Sequence, residues 1–399
     1  MRFINREKEV SIIKNAIKLS RKKMYSIVIT GLRRIGKTRL ILESLEGDFL
    51  YFFIDENKSI DQLLIEFEQE LKSKKIIEEY VKIDSFKTFL EILINRYKGV
   101  VVFDEFQNFY KVDKTVFGEL QKFFDIYENR KNLLFIFSGS LVGLIKKLLS
   151  KKAPLYGRIK REIRLKPLSF IHIVEMCREL KIKKIEDILK LYFIFSGFPK
   201  YYVAIEDENL EGKSFNEIIN RFFLEENAVL EEEVERILAM EFGRRKKTYY
   251  AILEAIANGN NTLSEIASAL NLKQTSITRQ LNELVNFFEL VSVEKQIFGK
   301  KSLYVITHPL IDFWFTFFYK NLSAYKRREK RFIEYLTKNI NSFFGKRFEY
   351  FIKENFSLFF PSSLFTKIGK QWGKIPKKKG NGVYEIDIVA LNEQTKEIL

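Results

Sequence analysis

Residues 31–38 read Gly-Leu-Arg-Arg-Ile-Gly-Lys-Thr, a complete G-x-x-x-x-G-K-[ST] phosphate-binding loop. The apolar run Tyr25-Ser26-Ile27-Val28-Ile29-Thr30 before it reads as a strand, and Arg39-Leu40-Ile41-Leu42-Glu43 after it reads as a helix start. Strand, loop and helix in that order are the setting in which the pattern takes a nucleotide triphosphate. Gly31 and Gly36 let the backbone turn tightly enough to aim successive N–H groups at phosphate oxygens. The helix dipole adds positive potential beneath them. Lys37 is expected to reach the β- and γ-phosphates and the Thr38 hydroxyl to ligand Mg²⁺. Ile35, Gly36 and Arg39 complete the nucleotide-contacting stretch. Arg33 and Arg34 are unusual inside such a loop: either one touches phosphate, Arg34 being the candidate, or both face solvent, the favoured reading.

The other half of the site is Gly99-Val100-Val101-Val102-Phe103-Asp104-Glu105-Phe106. A continuous apolar run ending in two carboxylates reads as a central parallel strand whose C-terminal tip enters the ligand crevice. Asp104 is expected to support the Mg²⁺ and Glu105 to polarise the attacking water. No Asn/Thr-Lys-x-Asp guanine signature follows, which favours ATP over GTP. A further strand, Asn132–Ser140, ends in small polar residues; Ser138 or Ser140 is placed to sense the γ-phosphate, although a serine ending a strand also serves as a helix cap.

Strand-like runs at 25–30, 49–54, 99–104 and 132–138 alternate with helical patterns up to about residue 165, the signature of a doubly wound α/β core. Residues 166–240 turn helical, with Pro167 and the Gly197–Pro199 break as punctuation; Glu231, Glu232, Glu233 and Glu235 read as a solvated helix face. Residues 248–306 read as a winged helix-turn-helix. Its third helix runs from about Gln274 to Phe288, with Ile277, Leu281, Leu284 and Val285 inward, and Val291–Val293 with Ser302–Ile306 form the wing, turned at Gly299. In that arrangement Thr275, Ser276, Thr278 and Arg279 face the major groove, and Lys300 and Lys301 approach phosphates. Such a module also serves as a protein-docking or dimerisation surface.

The net charge of +17 is unevenly distributed: residues 320–380 hold 16 Lys/Arg against 4 Glu. A local excess of that size favours a polyanionic partner, DNA above all. Further on, Glu349 on a helix and Glu385 and Asp387 in the apolar strand Tyr384–Ala390 resemble the first two metal-binding elements of the PD-(D/E)xK nuclease fold. The third element, Glu-x-Lys on a following strand, is missing before Leu399, so cleavage activity is not expected of this chain. The single cysteine, Cys177, excludes a disulfide framework and a Cys-based zinc site and fits a reducing cytoplasm. The most apolar stretch, Phe313–Tyr319, is too short to span a bilayer, and the basic, helical N-terminus is expected to carry no cleavable leader. His172 and His308 lack metal-ligand spacing and read as structural.

Taken together, Phe3–Glu9, Gly31–Thr38, Phe103-Asp104-Glu105-Phe106-Gln107, Phe137–Ser140, Pro154-Leu155-Tyr156-Gly157-Arg158 and Ser196–Tyr201 resemble the archaeal ATPase family of STAND and AAA+-related P-loop proteins. The resemblance spans the chain. It implies an ASCE-type parallel-sheet ATPase core (1–165), a helical lid (166–240), a winged helix (241–306) and a basic restriction-endonuclease-like α/β domain (307–399), here incomplete. It also implies that Arg6 borders the adenine pocket and that Arg158 is a γ-phosphate sensor or finger. The expectation is an ATP- and Mg²⁺-using cytoplasmic protein that contacts DNA, with a homo-oligomer or a protein partner at the winged helix as a further use of that module.

Overall fold

Every residue of the strand before the phosphate loop except Tyr25 is buried, so β1 (Tyr25–Thr30) runs through the middle of a sheet. The computed structural model describes residues 1–243, 246–361, 364–375 and 382–399. The chain divides into two compact units, one of residues 2–167 with 198–200, the other of residue 1 with 168–197 and 201–399.

The first unit is built on a five-stranded sheet in the order β2-β3-β4-β1-β5, with all four pairings parallel. Its remaining strands are β2 (Leu50–Phe53), β3 (Gly99–Asp104), β4 (Leu133–Gly139) and β5 (Arg161–Arg164). This is the order of AAA+-type P-loop cores, in which one strand separates the phosphate-loop strand from the acidic strand; here that strand is β4. All seven residues of β4 are buried, as expected of a central parallel strand covered on both faces. Phenylalanines fill one face: Phe52, Phe67 and Phe89 meet with ring centroids 4.7–5.2 Å apart, and Phe103 stacks on Phe137 across the β3–β4 pair at 5.8 Å. Each such ring contributes roughly 1.5–3 kcal/mol by leaving water.

β5 is a strand that the apolar pattern does not announce. Only Ile163 of its four residues is buried, while Arg161, Glu162 and Arg164 are exposed. An edge strand needs few inward side chains, and charges on it discourage pairing with another chain.

The second unit begins with helices Phe170–Glu179 and Ile185–Phe195 and continues through Phe215–Ile219 and Glu233–Phe242. The acidic run is less solvated than its composition suggests: Glu233 is buried, and Glu231 pairs with Arg328 at 2.8 Å. A winged helix follows, with helices Lys246–Ala257, Leu263–Ala269 and Gln274–Asn286 and the antiparallel hairpin β6 (Val291–Lys295) and β7 (Ser302–Ile306). Thr262 caps the second helix in a reciprocal box with Glu265. Ile277, Leu281 and Leu284 face inward as expected, whereas Val285 is only half-buried. Phe313–Tyr319 lies on the helix Pro309–Phe317 and just beyond it, and eight residues of that helix are buried. Among the described residues no helix is long and apolar enough to cross a membrane. The 25-residue helix Lys330–Glu354 sets Phe344 and Phe351 against Phe170, Tyr192 and Phe193, and a second antiparallel hairpin, β8 (Lys367–Lys374) and β9 (Val383–Leu391), closes the unit.

Candidate nucleotide site and nucleic-acid face

The loop after β1 turns where its glycines allow it. Gly36 sits at φ 92°, in the region that disfavours a Cβ, and a Cβ on Gly31 would lie 2.9 Å from the Leu165 carbonyl oxygen. Arg34 adopts φ 69° with a full side chain, a conformation that costs about 1–2 kcal/mol for an L-residue. The Lys37 ammonium is drawn into the curl of the loop, where it donates to the Gly31 carbonyl at 2.9 Å and the Leu32 carbonyl at 3.2 Å. The helix Lys37–Ser44 starts directly from the loop, with no side chain capping its first turn.

Asp104, at the tip of β3, is 4% exposed and has its oxygens spoken for. Its Oδ2 accepts from the Thr38 hydroxyl at 2.9 Å and from the Tyr51 phenol at 2.6 Å, and its Oδ1 accepts from the Glu105 amide at 3.0 Å. Thr38 and Asp104, expected to share a metal ion, are therefore in direct contact. Burial, then the hydrogen bond to Asp104, pushes the Tyr51 phenol above the usual tyrosine range, so it stays a donor at all working pH.

Glu105 takes φ 52° at the sharp turn after β3. Its Oε1 accepts from Arg33 at 3.2 Å, and its Oε2 accepts from the Ser140 hydroxyl at 2.9 Å and from the Gln107 side-chain amide. Arg33 thus departs from the expectation that both loop arginines face solvent: its side chain is 18% exposed and points inward to a carboxylate. Arg34 is also half-buried. Of the two serines ending β4, Ser140 reaches the acidic tip, while Ser138 is fully buried and its hydroxyl has no hydrogen-bond partner among the described residues. Residues 138 and 140 share a face of the strand, but only the latter lies past the last paired residue, Gly139, at the end of the sheet.

Arg6 is buried at φ 84° and donates to the Lys166 carbonyl at 2.7 Å. Lys166 follows Leu165, the residue against Gly31, so Arg6 flanks the base of the loop; burial pulls its guanidinium below the usual arginine value. Arg39 is exposed and pairs with Glu43. Arg158 is not brought to the site. It forms a two-pronged pair with Asp125 at 2.8 and 2.7 Å, and its carbonyl accepts from Ser26, at the start of β1. Thr30 and the loop lie at the other end of that strand, about 13 Å away at the usual rise per residue.

Two matches decide the family. Residues 3–205 match the family described as an ATPase domain predominantly from Archaea, and MJECL04, an uncharacterized protein of Methanocaldococcus jannaschii, is 32% identical over 409 residues, 100% of this chain and 86% of the relative. The chain belongs to this ATPase family. Residues 314–399 match a second family, described as "Archaea bacterial proteins of unknown function". Among solved structures, the Walker-type ATPase paby2304 of Pyrococcus abyssi superposes with a TM-score of 0.59 at 21% identity, covering 78% of this chain and 96% of that one. The ORC2 protein of Aeropyrum pernix, in its ADPNP–ADP complexes, gives 0.55 at 14% identity over 78% and 90%. Both likenesses are of fold.

In the second unit of this ATPase-family chain, Thr275, Ser276, Thr278 and Arg279 are all exposed on the helix Gln274–Asn286, on the side opposite Ile277 and Leu281. Arg279 pairs with Glu283 one turn on, at 3.0 Å. Lys300 and Lys301 are exposed at the wing tip. The wing is not free along its length: the Ile297 backbone amide donates to the Lys370 carbonyl at 3.1 Å, Lys353 pairs with Glu294, and the Gln296 side-chain amide donates to the Trp372 carbonyl at 2.5 Å. The chain just past β6 thereby bridges to β8 through Gln296 and Lys370.

The basic excess of residues 320–380 is partly spent internally. Arg347 and Lys346 flank the buried Asp312 at 3.9 and 3.7 Å, and Arg327 and Arg331 share Glu329. Lys326, Lys330 and Lys338 stay exposed, and Lys377, Lys378 and Lys379 lie outside the described residues. The acidic trio expected as nuclease remnants does converge, but around a cation. Lys370 lies 3.1 Å from Glu349, 2.5 Å from Glu385 and 3.0 Å from Asp387. Burial works against that ammonium, yet the hydrogen bonds from Glu385, Asp387 and Glu349 outweigh it and hold its pKa above the ordinary lysine value.

Tyr51, Gln107 and Arg33 are the site residues that sequence reasoning did not assign. Tyr51 looks like any aromatic in a strand. Gln107, two residues past Glu105 in a tight turn, carried the one available signal.

Proposed function

We propose that this chain is an Mg²⁺-dependent ATPase switch whose nucleotide state governs DNA binding by the winged helix and the basic C-terminal region. The nucleotide half rests on the convergence of Lys37, Thr38, Asp104 and Glu105 at the C-terminal tips of β1 and β3. The residues suit the ligand. An uncapped helix start and a buried ammonium in a glycine-bounded curl are what a polyphosphate needs. Two hard oxygens 2.9 Å apart, on Thr38 and Asp104, suit Mg²⁺ brought in with phosphate. Bound Mg-ATP supplies the phosphoanhydride and the metal charge that neutralises the phosphates. Lys37 would hold the β- and γ-phosphates, Thr38 and Asp104 the metal, and Glu105 would orient the attacking water. Arg6 would border the base. Arg158, tied to Asp125 at the far end of β1, serves a γ-phosphate only from a second copy of the chain.

DNA contact rests on the exposed polar face of Thr275, Ser276, Thr278 and Arg279 and on the free lysines of the wing tip. Nucleotide binding by the full chain, followed by gel shift and phosphate release with and without DNA, tests the reading. Lys37→Ala is expected to abolish ATP binding, and ATP to change DNA affinity. Unaltered nucleotide affinity in that variant removes the site, and DNA affinity indifferent to ATP removes the switch.

A second reading, a DNA-binding regulator that keeps ATP mainly as a structural ligand, is favoured by one observation: Glu105 is held by three donors. Turnover distinguishes the two. Lys370 is charge-compensated by Glu349, Glu385 and Asp387, and no cleavage activity is proposed for this chain.

A further inference from the structure

Glu105 is the most constrained acid of the site. It stands at φ 52°, ψ 37°, a backbone conformation that is strained for such a residue and persists only where its surroundings enforce it. Three elements enforce it: Arg33 from the phosphate loop, Gln107 from the turn after β3, and Ser140 from the end of β4. The division of labour is uneven. Gln107 and Ser140 both bind Oε2 and are 0% and 3% exposed, so that oxygen is pinned by neutral, enclosed donors. Oε1 is held instead by Arg33, through a charged bond of 3.2 Å, and Arg33 comes from the one segment whose chemistry is phosphate binding.

A carboxylate that orients water needs one oxygen available, and a guanidinium bonded to that oxygen competes with the water. The same guanidinium borders the place where a terminal phosphate must lie if Glu105 acts on it. A terminal phosphate carries about two negative charges against one on a carboxylate, and Arg matches its oxygens in a fork. We propose that Arg33 is the residue by which this site tells triphosphate from diphosphate: its guanidinium exchanges Glu105 for the terminal phosphate. That exchange releases Oε1 of Glu105, while Gln107 and Ser140 keep the carboxylate in place. The proposal rests on the ATPase reading above. It makes triphosphate recognition and activation of the acid one event.

The test is binding, not turnover. Full-length protein is titrated calorimetrically with ADP and with the non-hydrolysable triphosphate adenylyl imidodiphosphate, both with Mg²⁺. Loss of one charge-assisted contact predicts that Arg33→Ala weakens the triphosphate about tenfold to a hundredfold and leaves ADP within about twofold. Glu105→Gln removes the competing charge and should tighten the triphosphate several-fold when Arg33 is present, with no such gain in the Arg33→Ala background. Arg33→Lys, which keeps the charge and folds most conservatively, should keep part of the selectivity. Equal weakening of both nucleotides by Arg33→Ala, or a Glu105→Gln effect independent of Arg33, overturns the exchange and leaves the ATPase reading intact. If the unaltered chain binds neither nucleotide, that reading falls and the exchange falls with it.

Discussion

Gly139→Ala is the substitution whose consequence the structure specifies most closely. A Cβ at this position would lie 2.0 Å from Gln107 Oε1 and 2.5 Å from Ile145 Cδ1. Ordinary contact begins at 3.4 Å, so the amide oxygen must retreat by about 1.4 Å. Gln107 is 0% exposed and Ile145 1% exposed, so neither can swing into solvent. Overpacking of this kind costs about 1–3 kcal/mol. The displaced amide also pulls its N–H from Glu105, so hydrolysis should fall together with stability while nucleotide affinity, carried by Lys37 and the loop amides, holds. Urea unfolding of the chain, the variant, Gln107→Ala and the double variant measures the effect. Shortening Gln107 removes the nearer obstacle, and the penalty for Gly139→Ala should shrink by about 1 kcal/mol in that background. An equal penalty in both backgrounds would falsify the claim that Gly139 is small because Gln107 lies against it.

Tyr51→Phe should leave stability nearly unchanged, a cost of about 1 kcal/mol or less, and raise the Mg²⁺ concentration needed for half-maximal turnover, since Asp104 loses one of the donors that orient it; an unchanged metal requirement counts against that role. His308 is buried with a pKa pulled down to about 3 by desolvation and by the charge of Arg347. Its folded value lies below its unfolded one, so protonation favours the unfolded chain, and stability should fall as pH drops from 6.5 toward 3, by at most about 1.4 kcal/mol per unit. A His308→Leu variant with the same pH slope would assign the loss elsewhere. Replacing Lys300 and Lys301 by Ala should lower the steepness of DNA affinity against log salt by about 2 and weaken binding alike across sequences; an unaltered slope places the wing tip away from phosphate.

The phosphate loop and the acidic strand were legible because their chemistry is local. Gly31, Gly36, Lys37 and Thr38 are contiguous, and a buried parallel strand advertises itself as an unbroken apolar run ending in Asp104 and Glu105. The winged helix was legible from 3.6-residue periodicity around Ile277 and Leu281. What escaped was pairing between distant segments. Nothing in Arg33 distinguishes an arginine facing water from one reaching Glu105 across the crevice, and nothing in a tyrosine of β2 announces a bond to Asp104. β5 escaped because an edge strand with one buried residue lacks a hydrophobic pattern. Net charge was the coarsest guide, since it counts Arg347 and Lys370 as surface when Arg347 lies by Asp312 and Lys370 among three carboxylates.

Phosphate release from ATP by the full-length chain, compared with its Glu105→Gln variant at saturating nucleotide, bears most directly on the central claim that Asp104 and Glu105 make the phosphate loop a hydrolytic site. Mg²⁺-dependent release is expected from the unaltered chain, and a loss of about a hundredfold or more in the variant, with ATP still bound. Release that is the same in both proteins contradicts it.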